Sequence, residues 1–381
     1  MFAGLSWILL SRSLITGANW TTDPTTPNAF GSTANFGSIS APRTVTMDGP
    51  FNIGTANFSS SSGFTIVGAA NTTLTMGNLA VGSAVSINVT AGSHAVNVPV
   101  QWNNEGTLNV AAGAQLRIGG DFGLTANGNF GGHNVTKDGA GTLLIDSVRN
   151  TFGNDGSAKL WIKQGTVQML HHTTANANSS KVNSLAIDNG AKLDLTNNSL
   201  VLDYGGLGGG GALISQIKGW LKSSDGRLFS SDADSLHGLG YKDNSDSSGA
   251  SNGALGNFSG VTVDVSSILI KYTYLGDTNV DGKVDISDLY NLANNYNPKH
   301  IGSANSIWQK GDFNYDGWVD LTDLTKLATN WQAGVGNSLG APLGQVLASL
   351  GLPNVSVPEP ASVGLMTLGV TGLMARRRRR N

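Results

Sequence analysis

Apolar and polar residues alternate in short stretches over the first two hundred residues of the chain. Leu193 and Leu195 precede an Asn-Asn turn, and Leu200 and Leu202 follow it with the same spacing. Successive side chains of a strand point to opposite faces, so each stretch has one apolar face to bury. Strands this short cannot bury a face alone. The pattern therefore predicts stacked strands of a sandwich, barrel or solenoid over residues 19–204.

The pattern changes after Tyr204. A glycine-rich joint covers residues 205–212. The next stretch predicts a short amphipathic helix, because one helical face collects Leu213, Ile217, Trp220 and Leu221. Alternation returns at residues 261–274 and predicts one or two strands that close the β-rich body. Residues 205–275 are accordingly predicted to be a helix plus closing strands.

Two twelve-residue loops, 277–288 and 312–323, repeat the same layout of oxygen-bearing residues around a central glycine. Alternating oxygen donors with glycine at the sixth position form the ligand spacing of an EF-hand-type calcium loop. Side chains at positions 1, 3, 5, 9 and 12, and the main-chain carbonyl at position 7, are the predicted ligands: Asp277, Asn279, Asp281, Lys283, Asp285 and Asp288, then Asp312, Asn314, Asp316, Trp318, Asp320 and Asp323. The alternative is a pair of Asp/Asn-Gly turns with solvated charges. Two complete copies favour two Ca²⁺ ions.

The surroundings of the loops add three expectations. An apolar helix should follow each loop, and Val284 and Val319 at the eighth positions should pair as a short β-bridge. Position 12 is Asp instead of the usual Glu, and the residues before the first loop predict a strand instead of an incoming helix. We expect the ions to fold and stiffen this part of the chain.

Residues 276–335 resemble the dockerin type I module, which consists of two loop–helix repeats. The resemblance implies a module that docks onto a cohesin or packs against its neighbour. Small hydroxyl residues at loop positions 10 and 11 usually make the cohesin contacts of that family, and only Ser287 and Thr322 fit this pattern. The apolar tenth positions, Ile286 and Leu321, argue against a cohesin partner and predict that this face is buried.

Residues 134–170 resemble the autotransporter-associated β-strand repeat of bacterial surface proteins. The matching residues are Lys137, Gly139, Gly141, Thr142 and Leu143, then Asn150, Thr151, Phe152 and Gly153, then Gly165, Thr166 and Val167. The resemblance implies a right-handed parallel β-helix for the body. The fold class expected for the chain is therefore mainly β, with a solenoid body, a small α-helical calcium module and a short C-terminal transmembrane helix.

A linker, 336–356, leads to the last segment, 357–381. A Val-Pro-Glu-Pro motif precedes fifteen mostly apolar residues and five arginines: Val357, Pro358, Glu359 and Pro360, then Arg376, Arg377, Arg378, Arg379 and Arg380. Fifteen residues are short for a spanning helix, unless the arginines extend to the interface. The tail resembles the PEP-CTERM sorting signal, which implies recognition by exosortase, transient membrane anchoring, and delivery to the cell surface or extracellular matrix.

The composition limits the classes of function. Only 13% of residues are charged and the formal net charge is −2, so we expect no nucleic-acid partner, because such binders carry a basic face. The chain has no cysteine, which a large sheet core does not need. Residues 1–18 contain a short apolar run with no positive residue ahead of it. They are either part of a truncated secretory signal or a first strand.

The sequence predicts no catalytic site. The aspartates of the body are scattered: Asp121, Asp146, Asp155, Asp188, Asp194 and Asp203. None forms a pair of the kind that glycoside hydrolysis requires, and His171 and His172 are expected at the surface of a strand end. We therefore expect a structural or adhesive surface protein. The alternatives are a protein that binds or degrades extracellular polysaccharide and is attached through its dockerin-like module, and a cohesin-docking scaffold component.

Overall fold

The computed structural model describes residues 6–8, 27–68, 72–80, 83–119, 133–148, 159–177, 179–205, 210–222, 224, 226–245, 255–336 and 342–355. The chain divides into two units, Met1–Thr273 and Tyr274–Asn381. Three predictions lie outside the described residues. They are the Asn150–Gly153 part of the repeat, most of the N-terminal segment, and the whole sorting tail.

The first unit consists almost entirely of short strands, as the alternation predicts. Their bounds are β1 Ser6–Ile8, β2 Thr33–Phe36, β3 Arg43–Met47, β4 Phe51–Ile53, β5 Thr55–Phe58, β6 Phe64–Gly68, β7 Leu74–Met76, β8 Val85–Val89, β9 Ser93–Asn97, β10 Val100–Trp102, β11 Gly106–Val110, β12 Gln115–Ile118, β13 Val135–Asp138, β14 Thr142–Ile145, β15 Lys159–Ile162, β16 Thr166–Met169, β17 Ser180–Val182, β18 Ser184–Ile187, β19 Lys192–Asp194, β20 Ser199–Asp203, β21 Leu228–Phe229, β22 His237–Asp243, β23 Asn257–Phe258, β24 Val261–Thr262 and β25 Ser267–Tyr274.

These strands stack into a β-solenoid. The first sheet has the order β1-β2-β5-β8-β11-β13-β15-β18, the second β21-β19-β16-β14-β12-β9-β6-β3, and the third β10-β7-β4. The pairs within these three sheets are parallel, because each strand lies on its counterpart from the preceding coil. The predicted β-solenoid is therefore confirmed. Its right-handedness and the autotransporter-type repeat stay predictions.

Inward residues form the core in continuous rows. In the first sheet, Leu108 is in register with Lys137, and Lys137 with Ile162. The rings of Phe36 and Phe58 stack 4.4 Å apart between neighbouring coils. Each strand contributes one face to the core, so the solenoid buries apolar area that no single strand could bury.

The parallel stacking ends in a different arrangement. Helix α1, Gly210–Leu221, buries Ile214, Ile217, Trp220 and Leu221 and confirms the predicted amphipathic helix. Strand β21 extends the second sheet by pairing with β19. Strand β25 pairs antiparallel with β20 in a four-stranded sheet, β17-β20-β25-β22. The predicted closing strands are present.

The second unit is mainly helical. Helices α2, Ile286–Asn295, and α3, Leu321–Thr329, follow the two loops as predicted, and a 3₁₀ turn at Trp308–Lys310 precedes the second loop. Helix α4, Leu343–Ser349, lies within the segment predicted to be a linker and buries Leu347. Of the helices in the described ranges, none is both long enough and apolar enough to cross a membrane.

Candidate metal centre

Main-chain N–H groups hold the carboxylates of the first loop. The two side-chain oxygens of Asp277 accept hydrogen bonds from the N–H groups of Asp281 and Gly282, at 3.1 and 2.8 Å. Asn279 accepts from the same Asp281 N–H at 2.9 Å. Gly282 has a φ of 92°, in the left-handed region that favours glycine. The chain therefore turns sharply around Asp277, as the loop pattern requires.

The second loop repeats this geometry. Asp312 accepts from the N–H of Gly317 at 2.8 Å, and Asn314 accepts from that of Asp316 at 3.0 Å. Lys283 and Trp318, the seventh residues, donate their N–H groups to the fifth-position carboxylates at 2.9 and 2.8 Å. The two copies thus have one geometry as well as one sequence pattern.

The ninth and twelfth positions also start the helices. Asp285 and Asp320 are the N-cap residues of α2 and α3, and their side chains accept from Ser287 and Thr322 N–H groups. Asp288 and Asp323 complete both capping boxes by accepting from the N–H of the N-cap residue, at 2.9 and 3.1 Å. Each loop and the helix after it are therefore one unit joined by carboxylates.

Four carboxylates of the loops are completely buried: Asp277, Asp288, Asp312 and Asp323. Burial, together with repulsion from the nearby Asp277, raises the pKa of Asp288 well above its ordinary value. Burial likewise raises the pKa of Asp323 to about 6. Among the described residues, no lysine or arginine forms an ion pair with Asp288 or Asp323. Buried charge of one sign is costly without a counter-ion.

The donor set fits calcium. Carboxylate, amide and main-chain oxygens are the ligands that Ca²⁺ takes, and a divalent cation would neutralise the repulsion between Asp277 and Asp288. No three Asp, Glu or His side chains in the described ranges are gathered as a metal cluster. Each predicted set contains four aspartates, so their carboxylates do not converge on one point in this structure, where main-chain N–H groups hold them instead. The individual ligand roles stay a prediction.

The two repeats pack on each other with local two-fold symmetry. Gly276, before the first loop, lies against Leu327 of α3, where an added Cβ would be 2.9 Å from the Cα of that leucine. Gly311, before the second loop, lies against Leu292 of α2, with the equivalent distance at 3.1 Å. Both glycines have positive φ, 118° and 105°. A larger residue at either position would force the repeats apart.

The predicted β-bridge between Val284 and Val319 is wrong. Val284 pairs with the segment after α3, donating its N–H to Ala333 and accepting from Gln332, at 2.9 and 3.0 Å. Val319 accepts from Asn297, after α2, at 2.7 Å. Each loop is therefore tied to the chain that follows the other repeat's helix.

The prediction that the tenth positions are buried is also wrong. Ile286 is 47% exposed and Leu321 is 50% exposed, and Tyr290, one turn after Ile286, is 47% exposed. Each of the two apolar residues begins its helix. Apolar side chains at equivalent points of the two repeats are thus accessible in this chain.

Sequence reasoning missed several residues that support the loops. The Thr278 hydroxyl donates to Asp288 at 2.7 Å and accepts from Asn291 at 2.9 Å. The Trp308 indole donates to the main-chain carbonyl of Asp277 at 2.6 Å. His300 pairs with Asp320 at 2.9 Å. None of these belongs to the ligand pattern, so the loop spacing gave no signal for them.

Two family models match the chain. Residues 275–330 match the dockerin type I domain, and residues 356–380 match the PEP-CTERM protein-sorting motif. No curated protein and no solved structure matches the chain. The chain thus combines a β-solenoid body with a dockerin type I module and a PEP-CTERM motif. The sorting motif implies export to the cell envelope, and the dockerin match makes calcium the expected ion.

Proposed function

We propose that this protein is a structural or adhesive component of the cell surface or extracellular matrix, with a C-terminal module stabilised by two calcium ions. The observation that carries the proposal is the burial of four loop carboxylates in two copies of one geometry. Extracellular modules of this kind bind Ca²⁺ at roughly 10⁻⁴–10⁻³ M. The ion is then a permanent part of an exported protein, and a regulated sensor is not required.

Sorting through exosortase is the second part of the proposal. Support comes from the match of the sorting motif to residues 356–380. Replacing Pro358, Glu359 and Pro360 by alanine should leave the protein uncleaved and retained in the membrane fraction of a host that has exosortase. The matched control replaces Pro353 and Asn354 by alanine, just outside the matched residues, and should be sorted normally. Equal sorting of both variants would contradict the assignment.

We propose that the body has no enzymatic activity, because several carboxylates in its described part are engaged in the fold. Asp194 accepts from Gln168, Thr196 and Ser231. His171 and His172 pair with Asp232 and Asp146, at 2.6 and 3.0 Å. Release of reducing ends from neutral or acidic polysaccharides would overturn this part of the proposal.

Docking to a cohesin-like domain is a second candidate role. The exposed apolar pair Ile286 and Leu321 favours it, since accessible apolar residues at both helix starts fit a protein partner. Replacing both by Asp should abolish capture by a cohesin-like domain. The same change at the exposed Thr325 of α3 should leave capture intact. Undiminished capture by the double variant would exclude this face.

A further inference from the structure

The outer face of the first sheet repeats one chemical pattern over successive coils. The strands β2, β5, β8 and β11 each carry a hydroxyl residue and, two positions later, an asparagine. These residues are Thr33 and Asn35, Thr55 and Asn57, Ser86 and Asn88, and Thr107 and Asn109. They are in register from strand to strand, so they form two parallel rows, which we call the polar track.

The track is both ordered and accessible. Asn57 donates to Asn35, and Asn88 donates to Asn57, both at 2.8 Å, which fixes the amides along their row. All members are at least partly exposed. Strands lie ~4.8 Å apart and residues two positions apart in a strand lie ~6.6 Å apart. The hydroxyls and amides therefore form a regular grid on the outer face, and the hydrogen-bonded amides are already ordered before a ligand binds.

The second sheet of the same solenoid has no such pattern. Its central outward row runs through Thr44, Thr65, Ala95, Arg117, Leu144 and Gln168. The chemistry of this row changes at almost every coil. Stacking of coils alone therefore does not impose a uniform outer face. Hydrogen bonds between asparagines account for the amide row, and the uniformity of the hydroxyl row calls for another reason.

An aromatic ring lies at the end of the hydroxyl row. Beyond Thr107 the row continues through Thr136 to Trp161. The indole N–H of Trp161 donates to Asp188 at 2.9 Å, and the ammonium groups of Lys159 and Lys163 lie 4.4 and 4.2 Å from its ring centroid. The ring is thus held in place on the outer face.

We propose that the polar track binds an extended, neutral polysaccharide chain that lies along the solenoid. The eight track residues carry no charge, so a polyanion would gain no ion pairs along it. Hydroxyls and amides both donate and accept hydrogen bonds, as sugar hydroxyls do. A repeating polymer can use equivalent groups on every coil. The inference rests on the adhesive role proposed above and names the surface for it.

The test is affinity electrophoresis of the full chain in calcium, in gels containing hydroxyethyl cellulose, xyloglucan, dextran or alginate. Replacing Thr55 and Thr107 by Glu should weaken retardation by a neutral polymer at least tenfold. The matched control replaces Thr44 and Thr65 of the second sheet by Glu and should bind as the parent does. If the Glu variant fails to fold, replacement of Thr55 and Thr107 by Val removes the hydroxyls and keeps the shape.

Three results of the electrophoresis would overturn the proposal. They are no retardation by any neutral polymer, an equal loss in both pairs of variants, and retardation by alginate alone. Inhibition of ice recrystallisation without polysaccharide binding would assign the track to ice and would also overturn it. Sorting and calcium binding use residues outside the track. A protein that is sorted normally but is not retarded by any polymer would therefore contradict this inference and leave the proposed sorting and calcium binding intact.

Discussion

The two units of this protein bury charge in opposite ways. In the solenoid, Lys137 is completely buried in a row of apolar side chains, and its ammonium donates to the main-chain carbonyls of Asp138, Gly139 and Gln164 at 2.9, 2.6 and 3.1 Å. In the module, the buried charges are carboxylates that already accept the nearby N–H groups. The first arrangement is complete within the chain, whereas the second leaves negative charge that a cation would neutralise.

The two units should differ in how strongly their stability depends on calcium in the solution. A solenoid coil is held by its neighbours, and the buried Lys137 also ties a turn to the next coil through Gln164. Burial of Asp288 in the module, together with repulsion from Asp277 in the same loop, raises the pKa of Asp288. Stability of the module should therefore follow the calcium concentration, while that of the solenoid should not.

Chelation of calcium with EGTA should produce the largest difference between the units. Calcium at a hundred times its Kd stabilises a site by about 2.7 kcal/mol, or about a hundredfold in the unfolding equilibrium. Hydrogen exchange of the amides of α2 and α3 should accelerate by at least that factor, while the strands of the three parallel sheets keep their rates. An equal acceleration of hydrogen exchange in both units would contradict a calcium dependence confined to the module.

Replacing Lys137 by Met should destabilise the solenoid alone. The variant leaves three buried or partly buried carbonyls without their donor, at a cost of about 2–3 kcal/mol. Urea unfolding of the solenoid strands, followed by hydrogen exchange, measures the change. The outward-facing Lys159→Met variant is the control and should stay within about 0.5 kcal/mol of the parent. A stability equal to the parent's would show that the carbonyl contacts of Lys137 are not needed.

Replacing Thr278 by Val should distinguish the two calcium loops. The variant removes the hydroxyl bond to Asp288, and hydrogen bonds to charged groups contribute about 1.5–3 kcal/mol. The second loop has Phe313 at this position and lacks the contact. Calorimetry should show about tenfold weaker binding at one site and no change at the other. The exposed Thr322→Val control should alter neither, and a change at both sites would mean that the loops are strongly coupled.

The smallest expected effect is a pH dependence of the solenoid. Burial lowers the pKa of Lys137 to about 8, from 10.5. Between these values the folded chain has lost the proton and the unfolded chain still binds it, so stability rises with pH. At fixed calcium, the free energy of unfolding should increase from pH 7.5 to 9.0 by about 1.2 kcal/mol. The increase should vanish in Lys137→Met, and an increase that persists there would assign it to another group.

Local sequence patterns predicted the strands and helices, whereas they could not predict contacts between residues distant in the chain. Period-two alternation identifies strands because inward residues such as Leu116 and Ile118 have to be apolar. The Asp-x-x-Asp spacing after each loop glycine also contains the capping boxes. Pairing of Val284 with Ala333 depends on how the repeats pack, and no local pattern encodes it.

Lys137 shows the limit of reasoning from hydrophobicity. Its position in the alternation places it inward, between Leu108 and Ile162, although a lysine is an exposed residue by composition. The three carbonyls that accept hydrogen bonds from its ammonium group come from a turn and from the next coil. For this residue, its place in the inward–outward alternation is thus a better guide to burial than the chemical type of its side chain.

Calcium titration of the full chain by calorimetry is the most direct test of a module built around two ions. We expect two bound ions for the parent chain, one for Asp277→Ala, one for Asp312→Ala and none for the double variant. The control variant Asp138→Ala, which changes an aspartate of the solenoid, should still bind two ions. Absence of binding at millimolar calcium, or two ions in a variant that lacks Asp277 and Asp312, would contradict a module built around the two loops.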